Sequence, residues 1–179
     1  MLGRLYESQN CSVARALELV GERWSLLILR NAAFAGQTKF SEFERRLGIA
    51  PNILATRLES FVAEGLMEMH PNPEHKGQNE YVLTEKGRDF VPALVALTSW
   101  GDRWAAPDGP PIVYEHEGCG GEVHLELRCG SCNSVTTAES VRARPGPGFR
   151  DVPAVGRRPR EIAAALGVID SVGNDRATE

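Results

Sequence analysis

The sequence predicts a mainly α-helical chain with one β-hairpin, followed by a small β-rich module organised by cysteines. Three observations carry this. Residues 40–66 read as two short helices joined by a tight turn. Two short apolar runs separated by a cluster of turn formers follow directly, at residues 66–83. Three of the four cysteines fall late, at positions 119, 129 and 132.

In chain order, residues 1–10 read as a loose arm. Ser12 caps a first helix with Val13, Ala16, Leu17 and Val20 on one face, and Gly21 breaks it. Residues 22–33 are apolar almost all round, through Trp24, Leu26, Leu27, Ile28 and Leu29. A helix without a clear polar face belongs in the centre of a core. Ser41 with Glu44 three residues on is a capping box, so the next helix is expected to start at Ser41. Phe40, Phe43 and Leu47 recur at helical spacing, and Gly48 suits the left-handed end.

Pro51 fits the first turn of a fourth helix, where a missing N–H costs nothing. Leu54, Leu58, Phe61 and Val62 make its buried face, and Gly65 ends it. Asn52, Ala55, Thr56, Arg57 and Ser60 are left on or near the opposite side. These side chains are of the types that read base edges and grip phosphates. A short polar-outward helix after a capped helix and a turn reads as a helix-turn-helix, with an ordinary helical hairpin as the alternative. The hairpin that follows, with His75 and Lys76 near its tip, then reads as a wing against phosphate or the minor groove. Lys39 and Ser41 are the expected phosphate contacts of the preceding helix.

Thr84 caps a long helix to about residue 104. Phe90, Leu94, Leu97, Gly101 and Trp104 form one apolar stripe along it, and Pro92 is expected to kink it. Such a stripe beyond a complete small core needs a partner. A second copy of the chain is the expected one, and the chain's own C-terminal part is the alternative. PDGPP at 107–111 reads as a linker. The division is therefore 1–106 for the winged helix and 112–169 for a small module. The latter comprises a Cys/His ribbon at 112–143 and a short helix at 159–169, with a tail after it.

The overall charge of −4 is no argument for nucleic acid, but the local balance differs. Arg23, Arg30, Lys39, Arg45, Arg46 and Arg57 stand against Glu42 and Glu44 between residues 23 and 57. Binding depends on the face presented and not on the chain's sum. No apolar run reaches the length of a membrane span, and the first residues lack a signal peptide's apolar core. A cytoplasmic location with no membrane partner is expected.

CSVARALELVGERWSLLILRNA, FSEFERRLGIAPNILATRLESFVAEGLMEM and EYVLTEKGRDFVPAL, in that order, resemble the HxlR family of winged helix-turn-helix regulators over residues 11–104. The resemblance implies a homodimer on a pseudo-palindromic operator in double-stranded DNA. The family's N-terminal cysteine, which in some members senses oxidants or electrophiles, matches Cys11. The family usually has proline next, where this chain has Ser12.

His116-x2-Cys119, nine residues, then Cys129-x2-Cys132 is the spacing of a zinc ribbon. Gly120, Gly121 and Gly130 allow the tight turns, and Val123, Leu125 and Leu127 alternate as a linking strand. Zinc on His116, Cys119, Cys129 and Cys132 is one reading, with His124 competing for the fourth place. A metal-free reduced hairpin and a disulfide are the others. The module carries Glu115, Glu117, Glu122, Glu126 and Glu139 against Arg128 and Arg142, which argues against a phosphate-binding face there. No catalytic constellation is present, so an enzyme is not expected. A transcriptional regulator, open to a redox or small-molecule signal, is the leading function. A protein-interaction adaptor with a zinc or redox ribbon is the alternative.

Overall fold

The computed structural model describes residues 11–73 and 75–149. The arm at 1–10, the helix expected at 159–169 and the tail lie outside them. The elements run α1 Ser12–Val20, α2 Arg23–Phe34, α3 Phe40–Leu47, α4 Pro51–Ala63, β1 Met67–Pro71, β2 Asn79–Leu83, α5 Glu85–Arg88 and α6 Val91–Ala105. Beyond them come β3 Leu127–Arg128, β4 Val135–Thr136 and a single 3-10 turn.

The core lies where α2, α3, α4 and α6 meet the base of the hairpin. Ile28, Leu29, Phe43, Ile49, Leu54, Leu58, Phe61, Leu66, Met67 and Leu94 form one buried cluster. Each such side chain contributes about 1.5–3 kcal/mol on burial. The central placing of α2 follows from its composition, as Ile28 and Leu29 are fully enclosed. Trp24 packs on the cluster's edge, with the Arg23 guanidinium 5.1 Å from its ring centroid.

Several helix boundaries differ from those expected. Ser12, read as the cap of α1, is its first residue, with the Cys11 carbonyl accepting from Arg15 N, and α2 runs one residue later at each end than 22–33, with Glu22 as its cap. α3 begins at Phe40, one residue early, and its cap is not Ser41 with Glu44. Glu42 instead accepts the backbone N–H groups of Thr38 and Lys39, both at 3.2 Å. A carboxylate on the third residue of a helix reaches back to whichever N–H groups are free, so the cap lies two residues upstream of the one read from the Ser-x-x-Glu pattern. The long helix from Thr84 is two helices. Pro92 falls in the first turn of α6, where it breaks no hydrogen bond, and the chain interrupts itself before it, at Asp89 and Phe90, in place of the proline kink expected within one helix.

Thr84 ties this junction together. Its hydroxyl donates to the Gly65 carbonyl at 2.7 Å and accepts from the Gly87 amide at 3.1 Å. Gly87 is buried against the Leu66 carbonyl, which an added Cβ would overlap. Glycine there is a packing requirement, and it brings α5 onto the end of α4. Lys86 Nζ donates to the Glu64 carbonyl and Arg88 Nη1 to the Leu83 carbonyl, both at 2.6 Å.

The sheet is larger than the hairpin read from sequence. β1 and β2 pair antiparallel in the register Met67↔Leu83 to Pro71↔Asn79. A third segment joins them, as Tyr81 N donates to the Thr38 carbonyl at 2.7 Å and Lys39 bridges Glu80. Its position is set from inside. Asn31, at the end of α2, accepts through its backbone carbonyl from Ala35 and Gln37, and its buried amide donates to Gln37 Oε1 at 3.0 Å.

By packing the described chain divides into two compact units, with residues 16–125 in one and residues 11–15 and 126–149 in the other. Tyr114, within the stretch from 112 read as the second module, belongs with the helices. Its ring stacks on Phe34 at 4.1 Å between centroids and its hydroxyl lies 3.3 Å from Thr98 Oγ1.

Candidate nucleic-acid interface

The turn between α3 and α4 is built from three residues with separate tasks. Gly48 takes the left-handed conformation (φ 62°), Ile49 is buried as an anchor, and Ala50 opens α4 with Pro51 behind it. Anchoring the turn fixes the angle between the two helices, and with it the direction in which α4 points its free side.

Leu54, Leu58 and Phe61 hold α4 to the core. At 100° per residue the side opposite them is occupied by Asn52, Thr56 and Glu59, all exposed. Pro51 and Ile53 are exposed at the helix start. The Thr56 hydroxyl donates to the Asn52 carbonyl at 2.9 Å. Ala55 and Arg57 sit on the flanks and are half-buried. Arg57 Nε is enclosed and has no hydrogen-bond partner. Strict helical phase from the three core residues was the signal that separates Asn52 and Thr56 from Ala55 and Arg57. The same phase brings Glu59 onto the stripe, which the sequence reading passed over.

The wing lies beside this helix. Burial raises the Tyr81 phenol on β2 above its ordinary pKa, and the Glu59 carboxylate raises it further. Asn72 shapes the tip: its amide donates to Glu80 Oε1 at 3.1 Å and its carbonyl oxygen accepts from His75 N at 3.1 Å. His75 and Lys76 are left exposed there, as read. Ser41 is exposed and Lys39 half-exposed at the start of α3. Arg45 and Arg46, exposed in the last turn of α3, add positive charge to this region.

The residues read as metal ligands fall on two hairpin tips, one in each compact unit. On the first, His116 Nδ1 lies 3.3 Å from Cys119 Sγ, and the tip closes through His116 N to the Gly121 carbonyl at 2.8 Å. On the second, Cys129 N donates to the Ser134 carbonyl at 2.9 Å. The Cys132 thiol is lowered to about 7, by the Ser134 hydroxyl first, then its backbone amide and Cys129. Among the described residues no three His, Cys, Asp or Glu side chains are grouped to hold a metal. All four cysteines are free thiols, and Cys11 is exposed.

An anchored turn, an outward polar helix and an adjacent basic-tipped wing define a helix-turn-helix DNA-binding protein. The chain belongs to the family of HxlR-like helix-turn-helix proteins, whose family model matches residues 19–109. It is 46% identical over 140 residues to Rv3095 of Mycobacterium tuberculosis strain H37Rv, an uncharacterized HTH-type transcriptional regulator, covering 78% of this chain and 88% of that one. The solved structure of PA1607, a candidate transcription factor, superposes with a TM-score of 0.69 at 41% identity, covering 77% of this chain and 96% of that one. PA1374 of Pseudomonas aeruginosa, also a candidate transcription factor, gives a TM-score of 0.55 at 36% identity, with 79% and 96% covered. The protein is therefore a transcriptional regulator with a helix-turn-helix DNA-binding domain. The 140 aligned residues cannot fit within residues 1–109, so the Mycobacterium relative shares sequence beyond the winged helix. No helix among the described residues is long and apolar enough to cross a membrane.

Proposed function

We propose that this chain regulates transcription as a homodimer, with each α4 in the major groove of one half of a pseudo-palindromic operator. The observation that carries the groove reading is the exposed Asn52 and Thr56 on the side of α4 opposite Leu54, Leu58 and Phe61. An asparagine amide can pair with adenine, and a threonine methyl suits thymine. Lys39, Ser41, His75 and Lys76 take phosphates. Arg57, half-buried with an unpaired Nε, would find a phosphate or base acceptor there. An unpaired buried donor costs free energy until it is matched.

Replacing Asn52 and Thr56 together by alanine is expected to cost about 1–3 kcal/mol for each base no longer read and to relax the preference at those operator positions. Titration of the variant against matched and mutated operators, at fixed salt, measures it. Unchanged affinity and unchanged sequence preference would end the groove assignment. Footprinting on the chain's own promoter region should show protected half-sites about one DNA turn apart, or a multiple of it.

The dimer rests on the outward side of α6. Leu97, Trp100 and Trp104 are 50%, 62% and 66% exposed in the single chain, as is Leu17 of α1 at 50%. Exposed tryptophans at this density mark a protein interface. For signal input, Cys11 is the position at issue. Its thiol is exposed and unpaired, and Arg15, whose N–H donates to the Cys11 carbonyl at 3.1 Å, follows one turn on. Mild oxidation is expected to release DNA from the unmodified chain and not from Cys11→Ser. Equal behaviour of the two would remove Cys11 from signalling and leave a small-molecule effector as the remaining input.

A further inference from the structure

Residues 126–149 have little apolar packing of their own. Leu127, Val135, Val141 and Phe149 all stand exposed. β3 and β4 are two residues long, too short to set a turn by strand pairing alone. The turn between them is nonetheless closely built. Cys129 N donates to the Ser134 carbonyl and Asn133 N to the Cys129 carbonyl, both at 2.9 Å. Arg128 Nη1 donates to the Asn133 carbonyl at 2.7 Å. Asn133 has φ 58°, a left-handed conformation that asparagine adopts more readily than most residues, and it turns the chain back directly after Cys132. The bond from Asn133 N to the Cys129 carbonyl closes a single helical turn, in which residues three apart are neighbours on one side. Cys129 and Cys132 are three apart.

Both are free thiols, Cys132 exposed and Cys129 half-buried. Cys132 Sγ lies 3.4 Å from Ser134 Oγ and within hydrogen-bonding reach of the Cys129 thiol. The Ser134 hydroxyl first, then its amide and the Cys129 thiol, bring the Cys132 pKa down to about 7, so much of it is thiolate at neutral pH. At Gly130, between the two cysteines, even an added Cβ would meet nothing within 4 Å, which leaves that side of the tip open to an approaching molecule. We propose that Cys129 and Cys132 form a thiol–disulfide exchange site, which takes a small-molecule disulfide as reactant and gives an internal Cys129–Cys132 disulfide. The Cys132 thiolate attacks one sulfur of the small disulfide. A new S–S bond forms, the reactant's S–S bond breaks, and one small thiolate leaves and takes up a proton. Cys129 then gives its proton to solvent and attacks the Cys132 sulfur of this mixed disulfide, and the second small thiolate leaves. The pair of cysteines is oxidised by two electrons and the small disulfide is reduced to two thiols. Two adjacent sulfurs with an open approach are all that this chemistry requires.

The test uses the full chain, reduced, freed of reductant and mixed with oxidised glutathione near neutral pH. Both tip thiols are expected to be lost with no glutathione retained on either. Peptide mapping of the unreduced protein should place the new bond between Cys129 and Cys132, and dithiothreitol should return both thiols. Cys129→Ser is expected to keep glutathione on Cys132, because the sulfur that would expel it is gone. Thermal melting of the winged helix should stay in place throughout. If the variant misfolds, the peptide map of the unmodified chain decides by itself. Glutathione retained on both tip cysteines of the unmodified chain, thiols there that do not react, or a bond from either to Cys11 or Cys119 instead would overturn the proposal. No DNA is present in the measurement, so this outcome and the operator reading fail separately.

Discussion

Leu97→Asp should turn the protein into a folded monomer that has lost most of its operator affinity. Leu97 is half exposed in the single chain and is absent from the buried core, so the substitution removes little from the fold itself. In a dimer closed over α6 it would place an ionised carboxylate in an apolar contact with no partner, at a cost of several kcal/mol. Two linked half-sites bind more tightly than one by about 10²–10⁴-fold, and that factor is what the monomer forfeits. Sedimentation velocity and operator titration on the same sample measure both effects, with thermal melting as the control for folding. If Leu97→Asp remains a dimer, or the unmodified chain is a monomer at micromolar concentration, the α6 interface is excluded.

Phe43→Ala is expected to cost about 3–5 kcal/mol of stability, the range for deleting a fully enclosed aromatic side chain. Phe43 is wholly buried in the single core cluster of the winged helix. It is the buried residue of α3 and holds that helix to the rest of the core. Domains of this size have about 5–15 kcal/mol in all, so the variant should unfold at much lower urea, with an unchanged slope. It should also lose DNA binding wherever it is partly unfolded, although Phe43 itself faces away from solvent. A midpoint within error of the unmodified chain would mean that α3 is not held by this core.

The helices were legible because each carries its own evidence. The apolar spacing of Leu54, Leu58 and Phe61, the glycine at 48 and the proline at 51 act within one or two turns. The same is true of the hairpin, whose turn formers sit between two short apolar runs. Of the α4 residues expected to face DNA, Asn52 and Thr56 are outward, because their phase against the core is a property of the helix alone.

What the sequence left open are contacts between residues far apart in the chain. Thr38 and Lys39 carry no strand pattern; they pair with β2 because the Asn31 and Gln37 side chains fix the chain end there. Glu42 became the cap in place of Glu44 because the free N–H groups lie at Thr38 and Lys39. Arg57 reads as a free basic residue, yet packing encloses its Nε, and no local pattern reports how deep a flank position lies. Tyr114 looks like part of the distal module until Phe34 and Thr98 claim it. The sequence by itself determined the helices, the turn and the hairpin, since hydrophobic phase and backbone preference are local. The tertiary structure decided which polar residues are reachable and where the sheet ends, since burial and pairing depend on neighbours that sequence spacing does not name.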